Sequence, residues 1–274
     1  MVDDEDLLAS IYRSCQDLGD AAWDKSLVGF ATDLPDDPRW RTPFPLRPEL
    51  HLRYLYLQAL DALEVSTLGL RVRTSSAALG ALRLLAECCV LVKWLAEKDG
   101  AERRKRSYRL AMDGIKGTTR MQKHAKGGVS PQTLAAMEKQ LRELAKEDGV
   151  QHVGCSPDPV WLFNKYLQSG YASYSILSEL GSHAGFFHVA LFRSDPKSKT
   201  VAVDFGGAHA ERALWIGQAF ELAGYTVDEV GRAFGWDDWL QSDVMPIVRR
   251  AKPLMKPIHA GWRSRWGIEP LGDA

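Results

Sequence analysis

His183 is the residue best placed to move a proton. Glu179 stands one helical turn before it, and a carboxylate at that spacing can orient an imidazole and raise its pKa toward neutrality. Arg83 and Glu87 repeat the four-residue interval a hundred residues earlier, and a guanidinium held by an acid is suited to stabilising anionic charge. If the two pairs meet, they make a polar crevice with His183 and Glu179 as acid and base and Arg83 and Glu87 beside them. The competing reading is a packed histidine satisfied by one hydrogen bond, and spacing alone does not separate the two. Metal chemistry has no comparable pattern. His183 and His188 are five residues apart, about 140° around a helix, and neither His-Glu-x-x-His nor a repeated Glu-x-x-His occurs. No serine sits in a Gly-x-Ser-x-Gly elbow, and Gly206-Gly207 lacks the lysine and hydroxyl of a phosphate loop. No cofactor is expected.

Two apolar helices must carry these residues. The stretch from Tyr171 to Phe192 keeps a helical period through Leu177, Leu180, Ala184, Phe187 and Leu191, with a second row of small residues at Ser178, Gly181, Ser182 and Gly185. The segment from Ser76 to about Asp99 is apolar around most of its circumference, as a core helix should be, and Arg83 and Glu87 are its only polar interior residues. A lone charge there would be costly, so the pair is expected either at a crevice or buried together.

The remaining chain is mainly helical. An acidic first turn at Asp3 to Asp6 opens one helix, and five prolines between Asp33 and Pro48 make an extended connection. Glu49 to Leu70 is a second helix. From Ala101 to Lys126 the basic residues Lys105, Arg109, Lys116, Arg120 and Lys123 share one helical side, a ridge that would either follow phosphates or face solvent. Ser130 followed by Pro131 caps an amphipathic partner helix, and the two make a charged hairpin expected to project from the core. Thr200 to Phe205 reads as a short strand without a convincing partner. His209 to Phe234 and Trp236 to about Lys252 read as helices, the second disturbed by Pro246. The tryptophans at 236, 239, 262 and 266 read as closing a core or a subunit contact rather than as stacking surfaces.

The expected fold is therefore all-α, a multi-helix bundle with a charged helical hairpin and at most one short extended segment. It forms a single domain over 1–274, made of an N-terminal helix and proline-rich connection over 1–48, a helical core over 49–252 that includes the hairpin at 101–149, and a surface tail over 253–274. Formal charge is +0, so attraction to nucleic acid has to come from local patches. The four cysteines form no zinc or redox motif and read as reduced packing residues, the N-terminus lacks a signal-peptide pattern, and no run is apolar enough to span a bilayer. A cytoplasmic helical protein of binding or regulatory function, with a polar crevice at Arg83, Glu87, Glu179 and His183 and without membrane partners, is expected, and a small-molecule pocket at Tyr174, Phe187 and the tryptophans is an alternative reading.

Two blocks together carry a resemblance. Arg83-Leu-Leu-Ala-Glu87 with Lys93-Trp94-Leu95, and later Tyr174-Ser-Ile-Leu-Ser178 with His183, resemble a large bacterial family of helical proteins, common in actinobacteria, that is distantly similar to HEPN domains. The resemblance implies a helical bundle able to form a homodimer, and a divergent HEPN-like enzyme acting on RNA is an alternative reading of it. It would cast His183 as acid or base, Arg83 as the phosphate-stabilising group and the ridge from Lys105 to Lys123 as the backbone contact. The arginine that HEPN ribonucleases place four to six residues before their histidine is missing ahead of His183. Whether the chain is an enzyme therefore stays undecided at this level.

Overall fold

The computed structural model describes residues 3–30, 48–122, 129–167, 170–182, 192–195, 200–203, 209–267 and 269–270. In chain order the elements are α1 (Asp4–Gly29), α2 (Pro48–Val72), α3 (Ser76–Ala96), α4 (Gly100–Gln122), α5 (Pro131–Glu147), α6 (Pro159–Tyr166), α7 (Gly170–Ser182), β1 (Phe192–Asp195), β2 (Thr200–Val203), α8 (His209–Ala233), the single turn α9 (Asp237–Trp239) and α10 (Met245–Trp266). A wide π-type turn at Leu240–Val244 joins the last two. The fold is all-α. Among the described residues no helix is long and apolar enough to cross a membrane.

Two compact units share these elements. One holds α1, α2 from Leu55, α3 as far as Lys93, and what is described from Pro159 onward; the other holds the start of α2, Trp94 onward, α4, α5 and the loop to Asp158.

In the first unit α1 begins where Asp3 accepts from the Glu5 amide at 3.4 Å, and three acids in its first turn complement the helix dipole. Its buried residues Leu7, Ile11, Cys15, Leu18 and Ala22 recur at three and four, and that face packs on α8 and α10. Helix α8 is buried around most of its surface and runs unbroken through Gly224. Helix α10 lies against it in the opposite direction, because Leu214 meets Gly261, Gly217 meets Ile258, and Gly231 meets Leu240. The approach is close enough to require glycine: a Cβ on Gly217 would stand 2.6 Å from Ile258 Cγ2.

Helix α10 overturns the surface tail expected over 253–274. It continues through Pro253 and Pro257, which are both exposed and four residues apart on one face, while Ala251, Met255, Ile258 and Trp262 on the other face are buried. Two interior prolines each cost a helix about 3 kcal/mol, so the buried apolar stripe must outweigh them. Pro246 falls in the first turn of α10, directly after the π-type turn.

The tryptophans close a core, as their sequence context suggests. Trp215 and Trp262 are fully buried and meet edge to face at 4.9 Å. Trp236 packs among Phe30, Tyr56 and Phe234, with ring centroids 5.2 to 6.4 Å from its own. Cys15, Cys88 and Cys89 are buried, and burial raises all three thiols above their usual range, Cys89 to about 11, which suits packing and not reactivity. Cys155 departs from that expectation, being exposed.

Two expectations about extended structure change. The helix expected from Tyr171 to Phe192 is helical over Gly170–Ser182, residues 183–191 lie outside those described, and Phe192 opens a strand. The short strand expected near Thr200 exists and has a partner: β1 and β2 pair antiparallel, with Phe192 opposite Val203 and Asp195 opposite Thr200. Two paired strands of four residues each stand where at most one extended segment was expected, and leave the fold class unchanged.

In the second unit α4 and α5 pack face to face. Tyr108, Met112 and Ile115 of α4 meet Leu134, Leu141 and Ala145 of α5, closed by Val150 and Val153. Ser130 caps α5, accepting from the Thr133 amide at 3.1 Å, and the Tyr108 hydroxyl donates to Asp148 at 2.6 Å. Arg106, 7% exposed, donates to the Trp94 carbonyl and pairs with Glu97 at 3.0 Å.

Candidate functional site

Of the four residues expected to form a crevice, Arg83 and Glu87 are described and paired. Arg83 Nε donates to Glu87 Oε1 at 2.9 Å, as the four-residue interval on a helix allows. The partner from α7 is Tyr174. Its hydroxyl accepts from Arg83 Nη2 at 2.8 Å and donates to Glu87 Oε1 at 2.8 Å, while Phe163 of α6 stacks on its ring at 4.2 Å. Burial first, and then the neighbouring Glu87 carboxylate, push the Tyr174 hydroxyl up to about 12, so it keeps its proton at neutral pH. Three polar groups that satisfy one another in this way act as a clamp between α3 and α7. His183 and the side chain of Glu179 lie outside the described residues.

The clamp has a measurable consequence. Tyr174→Phe keeps the stacking on Phe163 but leaves Arg83 and Glu87 without the shared hydroxyl, and should lower unfolding free energy by about 1–2 kcal/mol in urea titrations. No loss would mean that water replaces the hydroxyl at no cost.

The basic row of α4 is present, with much of it already engaged. Lys105 pairs with Glu102 at 3.6 Å, and Arg109 is half-buried with a buried Nε that finds no hydrogen-bond acceptor. Lys116 Nζ stands 3.3 Å from Cys155 Sγ, and Arg120 is exposed. Lys123 lies outside the described residues. Among those residues no cluster of three His, Cys, Asp or Glu side chains could hold a metal.

A different site emerges between α8 and α10. Where the π-type turn swings Leu240 against Gly231, the two helices part and leave a groove of about 490 Å³. Its walls are apolar over most of their area, from Phe220, Leu240, Val244, Met245, Val248 and Met255. Gly224 contributes bare backbone, and a Cβ there would meet nothing within 4 Å. At one end His259 Nε2 lies 2.6 Å from Glu221 Oε1, both side chains under a fifth exposed, and buried Gln218 donates to the other Glu221 oxygen at 3.4 Å. Toward the other end Arg232 and Asp228 form an ion pair at 2.9 Å. π-type turns recur where a helix has been reshaped to make room for a ligand, and this one supplies three of the lining residues.

Sequence reading misses this groove for an identifiable reason. His259 follows two prolines, so its segment reads as tail, and Glu221 then has no visible partner. A sharper signal lies in the spacing Ala251, Met255, Ile258, Trp262, which holds a helical period straight through the prolines. Compared with known family models, curated proteins and solved structures, the chain matches none.

Proposed function

We propose that this is a ligand-binding protein whose site is the groove between α8 and α10. The observation that carries the reading is the volume and its lining together. About 490 Å³ of mostly apolar wall, with an oriented His259–Glu221 pair at one end, falls within the range and polarity of small-molecule sites. The Arg83–Glu87–Tyr174 cluster supports the reading less well, since its donors and acceptors are already matched to one another. An RNA-directed role would rest on Lys116 and Arg120 of α4 and on residues outside those described, since Lys105 is already paired with Glu102.

Nile red, a neutral apolar dye, reports the groove. Saturable one-to-one binding is expected, and Gly224→Phe should remove it, because the new ring fills the groove from a position where a Cβ meets no neighbour. Equal binding by the wild type and by a folded Gly224→Phe variant would place the dye elsewhere and end this reading.

A further inference from the structure

Charge along the rim of the groove narrows what it takes, an inference that rests on the groove being a ligand site. Helix α10 carries Arg249, Arg250, Lys252, Lys256, Arg263 and Arg265 and not one acid. Three of these are spoken for: Arg250 by Asp17 at 2.8 Å, Arg263 by Glu269 at 2.6 Å, and Arg265 by Glu211 at 3.8 Å. The other three, Arg249, Lys252 and Lys256, are all exposed, and none has an acidic partner among the described residues. They sit at intervals of three and four, so they form one row, with Arg249 and Lys256 within about 60° of Lys252 around the helix. Lys252 itself lines the groove.

The acids across the groove leave that row uncompensated. Glu221 is held by His259 and Gln218, and Asp228 by Arg232. From Lys252 toward the π-type turn the α10 wall is apolar at Val248, Met245, Val244 and Leu240, with Gln241 beside them and the paired Asp228 and Arg232 on the α8 wall. Those twelve residues of rise give a channel of about 18 Å at most, enough for a chain of roughly ten carbons. The groove is thus cationic at Lys252, with apolar α10 wall beyond it, and the charges at its two ends, His259–Glu221 and Arg232–Asp228, are matched within themselves.

We propose that the ligand is a single-chain amphiphile with an anionic head, taken up as the free molecule. Its carboxylate lies against Lys252, with Arg249 and Lys256 on the outer side, and its chain runs along Val248 and Val244 to Leu240. Each methylene removed from water contributes up to about fourfold in affinity, so the apolar walls set chain length while the basic row sets the sign of the head.

Competition against Nile red tests this. Dodecanoate, kept below its micelle-forming concentration, should displace the dye at an about tenfold lower concentration than dodecyltrimethylammonium, with dodecanol between them. Octanoate should compete less well than dodecanoate. Lys252→Glu puts a carboxylate where the head lies while Arg249 and Lys256 stay, and should abolish the preference for dodecanoate over dodecyltrimethylammonium, each competitor being referred to that variant's own dye affinity. Equal competition by cation and anion in the wild type, or a preference of unchanged size in Lys252→Glu, would overturn the head-group assignment while leaving the groove a ligand site. Loss of the dye's own site would overturn both. Retention on phosphatidylglycerol vesicles with no displacement by monomeric dodecanoate would overturn it too, by assigning the basic row to a lipid surface.

Discussion

Trp262→Ala is expected to lower the unfolding free energy by about 3–5 kcal/mol, the range for truncating a fully buried large aromatic side chain. Trp262 has no exposed surface, lies edge to face on Trp215 at 4.9 Å and reaches Trp266 at 6.2 Å. Alanine would remove all of these contacts and leave a cavity beside Trp215, which α8 and α10 cannot close because Gly217 and Gly261 already bring them together. Were residues 253–274 a tail over the surface, the same substitution would fall within about 0.5 kcal/mol of zero. Chemical denaturation separates the two outcomes by several-fold. Trp262→Phe sharpens the comparison. The indole N–H of Trp262 has no hydrogen-bond partner, so phenylalanine loses ring area but also removes an unsatisfied donor, and should cost clearly less than alanine.

What the sequence makes legible follows from which signals survive without partners. Period and caps do: Asp3, Ser75 and Ser130 mark helix starts, and the Ser75 hydroxyl accepts from the Ala78 amide at 3.2 Å. The four-residue pairing of Arg83 with Glu87 is equally local. Tyr174, which completes that cluster, is ninety-one residues from Arg83, and nothing in its own neighbourhood names its partner. The strand at Phe192 is hidden in the same way, since its four residues show no period and the pairing with β2 decides them.

Helix α10 is the instructive failure. Propensity rules read Pro253 and Pro257 as the end of a helix, and they are sound for an isolated helix. Here both prolines face outward while Ala251, Met255, Ile258 and Trp262 bury against α8 and α1, and burial of that stripe exceeds the local cost. The groove inherits the same illegibility, because it exists only where α10 and the π-type turn leave α8. The π-type turn inserts one residue per turn beyond the α period, a change that no composition or spacing in Leu240–Val244 announces.

Stability should also fall by about 3 kcal/mol as pH drops from 7 to 4, on account of one histidine in the second unit. His51, on the first turn of α2, is half-buried, and its Nδ1 is hydrogen-bonded with the hydroxyl of fully buried Ser107 of α4. Burial disfavours the imidazolium and holds the folded-state pKa down at about 4, against an ordinary 6.5. The sign follows from proton counting. Between pH 6.5 and 4 the unfolded chain carries a proton on this side chain that the folded chain does not, so each step toward acid favours unfolding. Below pH 4 both states are protonated, and the loss stops growing. Carboxylates titrate over part of the same range, so the decisive quantity is a difference between proteins. His51→Asn keeps a hydrogen-bonding amide about where Nδ1 stands and removes the titration. Its stability should therefore decline less than the wild type's between pH 7 and 4, by most of those 3 kcal/mol, in urea titrations run at each pH. Parallel pH profiles would mean that His51 accepts its proton in the folded state, with the Ser107 hydroxyl turning to receive the imidazolium, and an NMR titration of the ring would then show a midpoint near 6.5 in place of 4.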